Sequence, residues 1–145
     1  MKSINAISRC QAQYRTEHAV SDELSACHWM FIFTVTRHPG LSQEELSRML
    51  CLNKSTVTRT LCYLEEHGFV RREGDMADKR VLLIYPTERA LELLPALRGV
   101  TREWNARISE GIDEGEMAVF LSVLTKMESN AKRIIFGEDM GACEK

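Results

Sequence analysis

Apolar residues recur along most of this chain at intervals of three and four, and at intervals of two in one short stretch, so the pattern predicts a mainly helical protein with one small β element. From about Ser3 to His18 the residues Ile4, Ile7, Gln11, Tyr14 and His18 fall on one helical face, with no Gly or Pro to interrupt. That face is only modestly apolar and suits a partner better than isolation. Ser25 can cap a second helix through Trp29, Met30, Phe31, Ile32, Phe33 and Val35, which is apolar on most sides, should lie centrally, and ends at Pro39-Gly40.

The stretch from Leu41 to Pro86 carries the densest signal. In LSQEELSRML, Ser42 is an N-cap and Glu45 closes a capping box, while Leu41, Leu46, Met49 and Leu50 form an apolar stripe. Asn53 can cap the next helix, whose Val57, Leu61 and Leu64 bury one face and whose first two turns leave Lys54, Ser55, Thr56, Thr58 and Arg59 polar. Gly68 closes that helix. The period then drops to two, with Phe69 to Arg72 and Val81 to Tyr85 as strands around a charged turn. Helix, turn, polar helix and hairpin in this order predict a winged helix-turn-helix, a module that sets one helix into the major groove of DNA.

Two further helices follow. Thr87 caps the first, which carries Leu91, Leu94, Leu97, Val100 and Trp104 on one face and should bend at Pro95 while continuing past it. The second starts after Asp113 and bears Met117, Phe120, Leu121, Leu124 and Met127. The reading is therefore a mainly α fold with a small β-wing, about six helices and one antiparallel hairpin. Its parts are an N-terminal dimerisation helix and link (1–24), a DNA-binding lobe (25–86) and C-terminal dimerisation helices (87–145). Amphipathic helices at both ends leave stripes that one small domain cannot cover, so a homodimer about a two-fold axis is expected.

Composition alters this picture little. A net charge of −2 argues against a nucleic-acid partner only until its distribution is considered. Lys54, Arg59, Arg71, Arg72, Lys79 and Arg80 gather between residues 53 and 80, and the acidic residues crowd the last third. No apolar run approaches the roughly 18 residues of a membrane span. Five cysteines without CxxC pairs point to a reducing, cytoplasmic compartment and to no structural metal. The chain shows no Gly-rich phosphate loop, no nucleophile motif and no His-Glu metal pattern, so neither catalysis nor a cofactor is expected. The rival reading is a winged helix that serves protein interaction, and the cations on the recognition face disfavour it.

The chain resembles the MarR family of transcriptional regulators from about Leu24 to Asn130. Leu24-Ser25-Ala26-Cys27-His28-Trp29 and Pro39-Gly40-Leu41-Ser42-Gln43-Glu44-Glu45-Leu46 resemble the segments that open its second helix and its helix-turn-helix. Asn53 to Arg59 follows the recognition-helix pattern, and Leu64, Gly68 and Arg72 fall at its Leu-x-x-x-Gly-x-x-x-Arg spacing. Asp78-Lys79-Arg80 resembles the wing-tip Asp-x-Arg, and Pro86-Thr87-Glu88-Arg89-Ala90 resembles Leu-Thr-x-x-Gly. Cys51 departs from the Gly common at the helix-helix turn.

The resemblance implies a homodimeric repressor on a pseudo-palindromic operator, released by a small phenolic or amphipathic compound or by cysteine oxidation. The residues expected to face DNA are Ser42, Gln43, Asn53, Lys54, Ser55, Thr56, Thr58, Arg59, Arg72, Asp78, Lys79 and Arg80. Asp78 would brace the wing and Arg80 would enter the minor groove. Tyr14, His18, Trp29 and Phe33 are the expected effector pocket, and Cys10, Cys51 and Cys62 the oxidation candidates. Arg15 near Cys10 would favour its thiolate.

Overall fold

The structure, a computed structural model, describes residues 1–76 and 80–137. The order is α1 (Lys2–Glu17), α2 (Ala26–Arg37), β1 (Leu41–Ser42), α3 (Gln43–Leu50), α4 (Lys54–Glu66), β2 (Val70–Gly74), β3 (Leu82–Pro86), α5 (Glu88–Ile108) and α6 (Glu114–Phe136). Two compact units result, Met1–Arg107 and a second that begins at Ile108. The first extends past the boundary expected at residue 87 because α5 buries Ala90, Leu94 and Leu97 in its core.

That core forms where apolar stripes converge. Trp29, Phe31, Ile32 and Val35 of α2 meet Leu46 of α3, Val57, Leu61 and Leu64 of α4, Phe69, Val70 and Ile84 around the sheet, and the inner face of α5. α2 is buried from several sides, as its nearly unbroken apolar sequence requires. The α3 capping box forms: the Ser42 hydroxyl accepts from the Glu45 amide, and the Glu45 carboxylate accepts from the Ser42 amide at 2.8 Å. Asn53 caps α4 through Oδ1, which accepts from the Thr56 amide at 2.8 Å.

The wing is larger than a two-stranded hairpin. The sheet is antiparallel in the order β1-β3-β2, with Arg72 opposite Ile84 on one side of β3 and Leu41 opposite Ile84 on the other. Gly40 makes the extra strand reachable. At a φ of +84° it turns the chain after α2, and its amide donates to the Ile84 carbonyl at 2.8 Å. A side chain there would also press on the Tyr85 hydroxyl, 3.2 Å from where its Cβ would stand.

Cys51, at the turn between α3 and α4, is the one non-glycine residue with positive φ among those described (54°). A side chain in this left-handed region costs about 1–2 kcal/mol relative to glycine. Across the lobe, Thr87 joins the sheet to α5, its hydroxyl donating to the Gly68 carbonyl at 2.6 Å and accepting from the Ala90 amide. Pro95 lies on the exposed side of α5, which continues through it as expected.

In the second unit, Asp113 and Glu116 form a capping box at the start of α6. No residue of that helix is buried, and Val119, Phe120, Leu121, Ile134 and Ile135 are each more than half exposed. α1 also buries nothing, with Ile4 and Ile7 exposed.

Candidate nucleic-acid interface

The helix expected to read DNA, α4, is anchored by Val57, Leu61 and Leu64, all fully buried, which directs its remaining residues outward. Those residues divide by angle. Lys54 and Thr58 lie toward α3: Lys54 Nζ sits 3.3 Å from the Glu44 carboxylate, and Gln43 Nε2 donates to the Thr58 hydroxyl at 2.6 Å. Glu44 also pairs with Arg48 at 3.2 Å, and its carboxyl is held below the usual range first by the Lys54 hydrogen bond and then by the two positive charges. The Ser55 hydroxyl donates to Asn53 Oδ1 at 2.7 Å, so Asn53 and Ser55 serve the cap. Ser42 is similarly occupied by the α3 capping box and by its place in β1.

Thr56 and Arg59 occupy another flank. With Thr60 and Tyr63 they line a cleft of about 650 Å³ whose opposite wall is the end of α1, the link from Ser21 to Ser25 and the start of α2. Arg59 is exposed and makes no salt bridge among the described residues, leaving its guanidinium available. Behind this flank Tyr63 stacks on His67 at 3.9 Å, tilts against His28 at 4.7 Å and donates from its hydroxyl to the Glu23 carbonyl at 2.8 Å. His28 Nδ1 accepts from the Ser25 amide at 3.3 Å, and burial pushes the imidazole below the ordinary histidine range.

On β2, strand alternation separates two neighbouring arginines. Arg71 is exposed, pairs with Glu73 and lies 4.8 Å from the Tyr85 ring centre. Arg72 turns inward: its side chain is 17% exposed, pairs with Glu65 at 2.6 Å and reaches the Cys62 sulfur at 3.3 Å. The Glu65 hydrogen bond, then that of the Cys62 thiol, raise the arginine above its usual value. Arg72 thus braces β2 against α4. Arg80 is exposed beside β3, whereas Asp78 and Lys79 lie outside the described residues.

The residues expected to line an effector pocket fall in two settings, the core around α2 and an aromatic cluster on α1. Trp29 has no exposed surface and is part of the core, because α2 is covered on the face that carries it; Phe33 is half-buried against the same core. Tyr14 and His18 stack at 3.9 Å on α1, and Tyr14 meets Trp104 of α5 at 5.3 Å. Burial, followed by the Glu103 charge, raises the Tyr14 phenol above its usual value. The sequence reading did not place Arg15 and Trp104 in this cluster. Arg15 lies 5.5 Å from the Trp29 ring centre, half-buried and lowered by desolvation. Its Nε, with the indole nitrogens of Trp29 and Trp104, is buried without a hydrogen-bond partner. The helical period showed these faces but not their convergence across α1, α2 and α5.

Cys10, Cys51 and Cys62 are all exposed free thiols. Arg15, the cation expected to act on Cys10, is engaged over Trp29, and among the described residues the cation that touches a thiol is Arg72, on Cys62. Among the described residues no helix is long and apolar enough to cross a membrane.

Residues 24–82 match the sequence model of the MarR family. The crystal structure of MarR is 26% identical, with a TM-score of 0.80 over 92% of this chain and 90% of that one. A putative MarR family transcriptional regulator from Listeria monocytogenes, solved with a 26mer DNA, is 22% identical, with a TM-score of 0.86 over 90% of this chain and 87% of that one. The PcaV transcriptional regulator from Streptomyces coelicolor, solved with its natural ligand, is 20% identical, with a TM-score of 0.77 over 88% of this chain and 90% of that one. Segment and fold agree: residues 24–82 match the MarR family model, and the chain has the winged-helix fold seen in the crystal structure of MarR.

Proposed function

We propose that this chain is a cytoplasmic, homodimeric transcriptional repressor that binds a pseudo-palindromic operator and releases it in response to a small molecule or an oxidant. The observation that carries the DNA reading is α4: three fully buried residues fix it to the core, and Lys54, Thr58 and Arg59 remain exposed on its outer side. Such a helix enters the major groove, its cations meeting phosphates or guanine edges, while Arg80 on the wing reaches the minor groove. The Listeria protein solved with DNA supports this.

The exposed apolar residues of α1 and α6 support the dimer. Two recognition helices related by a two-fold axis reach successive major grooves roughly 34–36 Å apart, which requires a pseudo-palindrome. The unpartnered nitrogens of Arg15, Trp29 and Trp104 support a small effector between α1, α2 and α5. All three atoms are donors, so a phenolic compound with an acceptor group matches them. The PcaV structure with its natural ligand agrees with a sensing role. Cys10, Cys51 and Cys62 are the sites through which an oxidant would act.

Selecting bound fragments from the source genome with purified protein tests the core of this reading, and should yield an inverted repeat whose binding weakens steeply with salt. Salt-independent binding to a protein, without DNA binding, would support the rival interaction module. Release of the selected DNA by phenolic ligands, set against release by peroxide that reductant reverses, separates the two signals. Loss of the peroxide response in Cys10→Ser would assign the oxidant arm.

A further inference from the structure

At the start of the helix-turn-helix, two hydrogen bonds fix the orientation of a side chain that could otherwise point either way. The Thr58 hydroxyl donates to the Lys54 carbonyl at 2.8 Å. A carbonyl only accepts, so the single hydroxyl proton of Thr58 is used there. Gln43 meets the same hydroxyl oxygen at 2.6 Å. That oxygen now has only lone pairs to offer, and Gln43 must turn its Nε2 toward it. Among the described residues, one N–H and the carbonyl Oε1 of Gln43 remain unused, at the first residue of α3 and beside α4. Neighbouring groups are committed differently: Asn53 Oδ1 accepts from Thr56 and Ser55, and Ser55 has given its proton to Asn53.

We infer that Gln43 is a specificity-determining residue that reads an adenine, with Oε1 accepting from the N6 amino group and the remaining N–H donating to N7. The inference rests on the proposed DNA binding. Adenine is the base whose major-groove edge offers one donor beside one acceptor, matching both free atoms of the carboxamide. Guanine offers two acceptors, and cytosine a donor without its partner, so each leaves an atom of Gln43 unmatched. A phosphate would suit the N–H but would set Oε1 against negative charge. Thr58 acts as the positioning residue, since its hydroxyl decides which end of the amide faces outward.

The test is selection from a random double-stranded library by the full-length protein and by Gln43→Ala, Thr58→Val and Thr58→Ser, each first checked for an unchanged thermal melt. The parent and Thr58→Ser, which keeps the hydroxyl, should enrich an adenine at the same position of each half-site. Gln43→Ala and Thr58→Val should lose that enrichment while still binding. On the selected duplex, replacing this adenine by 7-deazaadenine should weaken the parent about tenfold and leave Gln43→Ala unchanged. Persistence of the enrichment in Gln43→Ala, or indifference of the parent to 7-deazaadenine, overturns the assignment with DNA binding intact. Failure of the parent to bind any duplex overturns the proposed function itself, and this inference with it.

Discussion

α4 and α6 show the same amphipathic period in sequence and have opposite fates. α4 buries Val57, Leu61 and Leu64 completely, whereas the longer α6 has no buried residue and leaves Val119, Phe120, Ile134 and Ile135 in solvent. A hydrophobic stripe therefore says that a helix needs a cover but not which molecule supplies it. For α4 the cover is the chain's own core. The stripe of α6, by the proposed function, is met by a second copy.

The sharpest way to break this comparison is to truncate both stripes. Leu61→Ala should destabilise the first unit by about 2–5 kcal/mol in denaturant melts, because the close-packed core cannot refill the space. Phe120→Ala with Ile134→Ala should keep the helical spectrum but lower dimer affinity by more than about a hundredfold in sedimentation, given roughly 1.5–3 kcal/mol for each buried side chain. A dimer that survives the double change would move the interface away from these residues.

Smaller effects sharpen the polar side of α4. Arg80→Ala should weaken operator binding about tenfold in an electrophoretic shift at fixed salt, with the thermal midpoint nearly unchanged. Unaltered binding would remove the wing from the interface. Glu44→Gln should tighten DNA binding about two- to fivefold, since it frees Lys54 from its solvent-exposed pair with the carboxylate. A weaker complex would mean that the carboxylate orders Lys54 instead of competing for it.

The smallest effect concerns pH. His28 is held below the usual histidine range chiefly by burial, with the Glu23 carbonyl, the His67 ring and Tyr63 around it, and its Nδ1 accepts the Ser25 amide only while unprotonated. The unfolded chain takes up this proton near pH 6.5 and the folded chain at a lower pH. The stabilising contribution is therefore complete above about 6.5 and is lost as the pH falls through the folded value. Thermal midpoints should drop more between pH 7.5 and 5 for the parent than for His28→Asn, and equal drops would assign the effect to other groups.

Periodicity and capping made most of the architecture legible. Ser42, Asn53 and Asp113 begin their helices where their side chains and the following stripes require. What could not be read was what depends on distant chain. Two residues are too short for a strand signal, so β1 became visible only with β3 beside it. The spacing marked Arg72 as a cation, but Glu65 and Cys62, which occupy it, are reached through the turn at Gly68. Trp29 fitted a pocket wall as well as the more common core position, because an apolar helix face does not reveal what covers it.

β1 has a mechanical consequence. Ser42 both pairs with Leu83 of the wing and caps α3, so the wing and the helix-turn-helix share a residue instead of meeting through a flexible joint. The lobe then behaves as a rigid caliper: the span from a groove-reading helix to the wing is set within one subunit. By the proposed function, a signal that separates the protein from its operator acts by changing the distance between two calipers, not the opening of either.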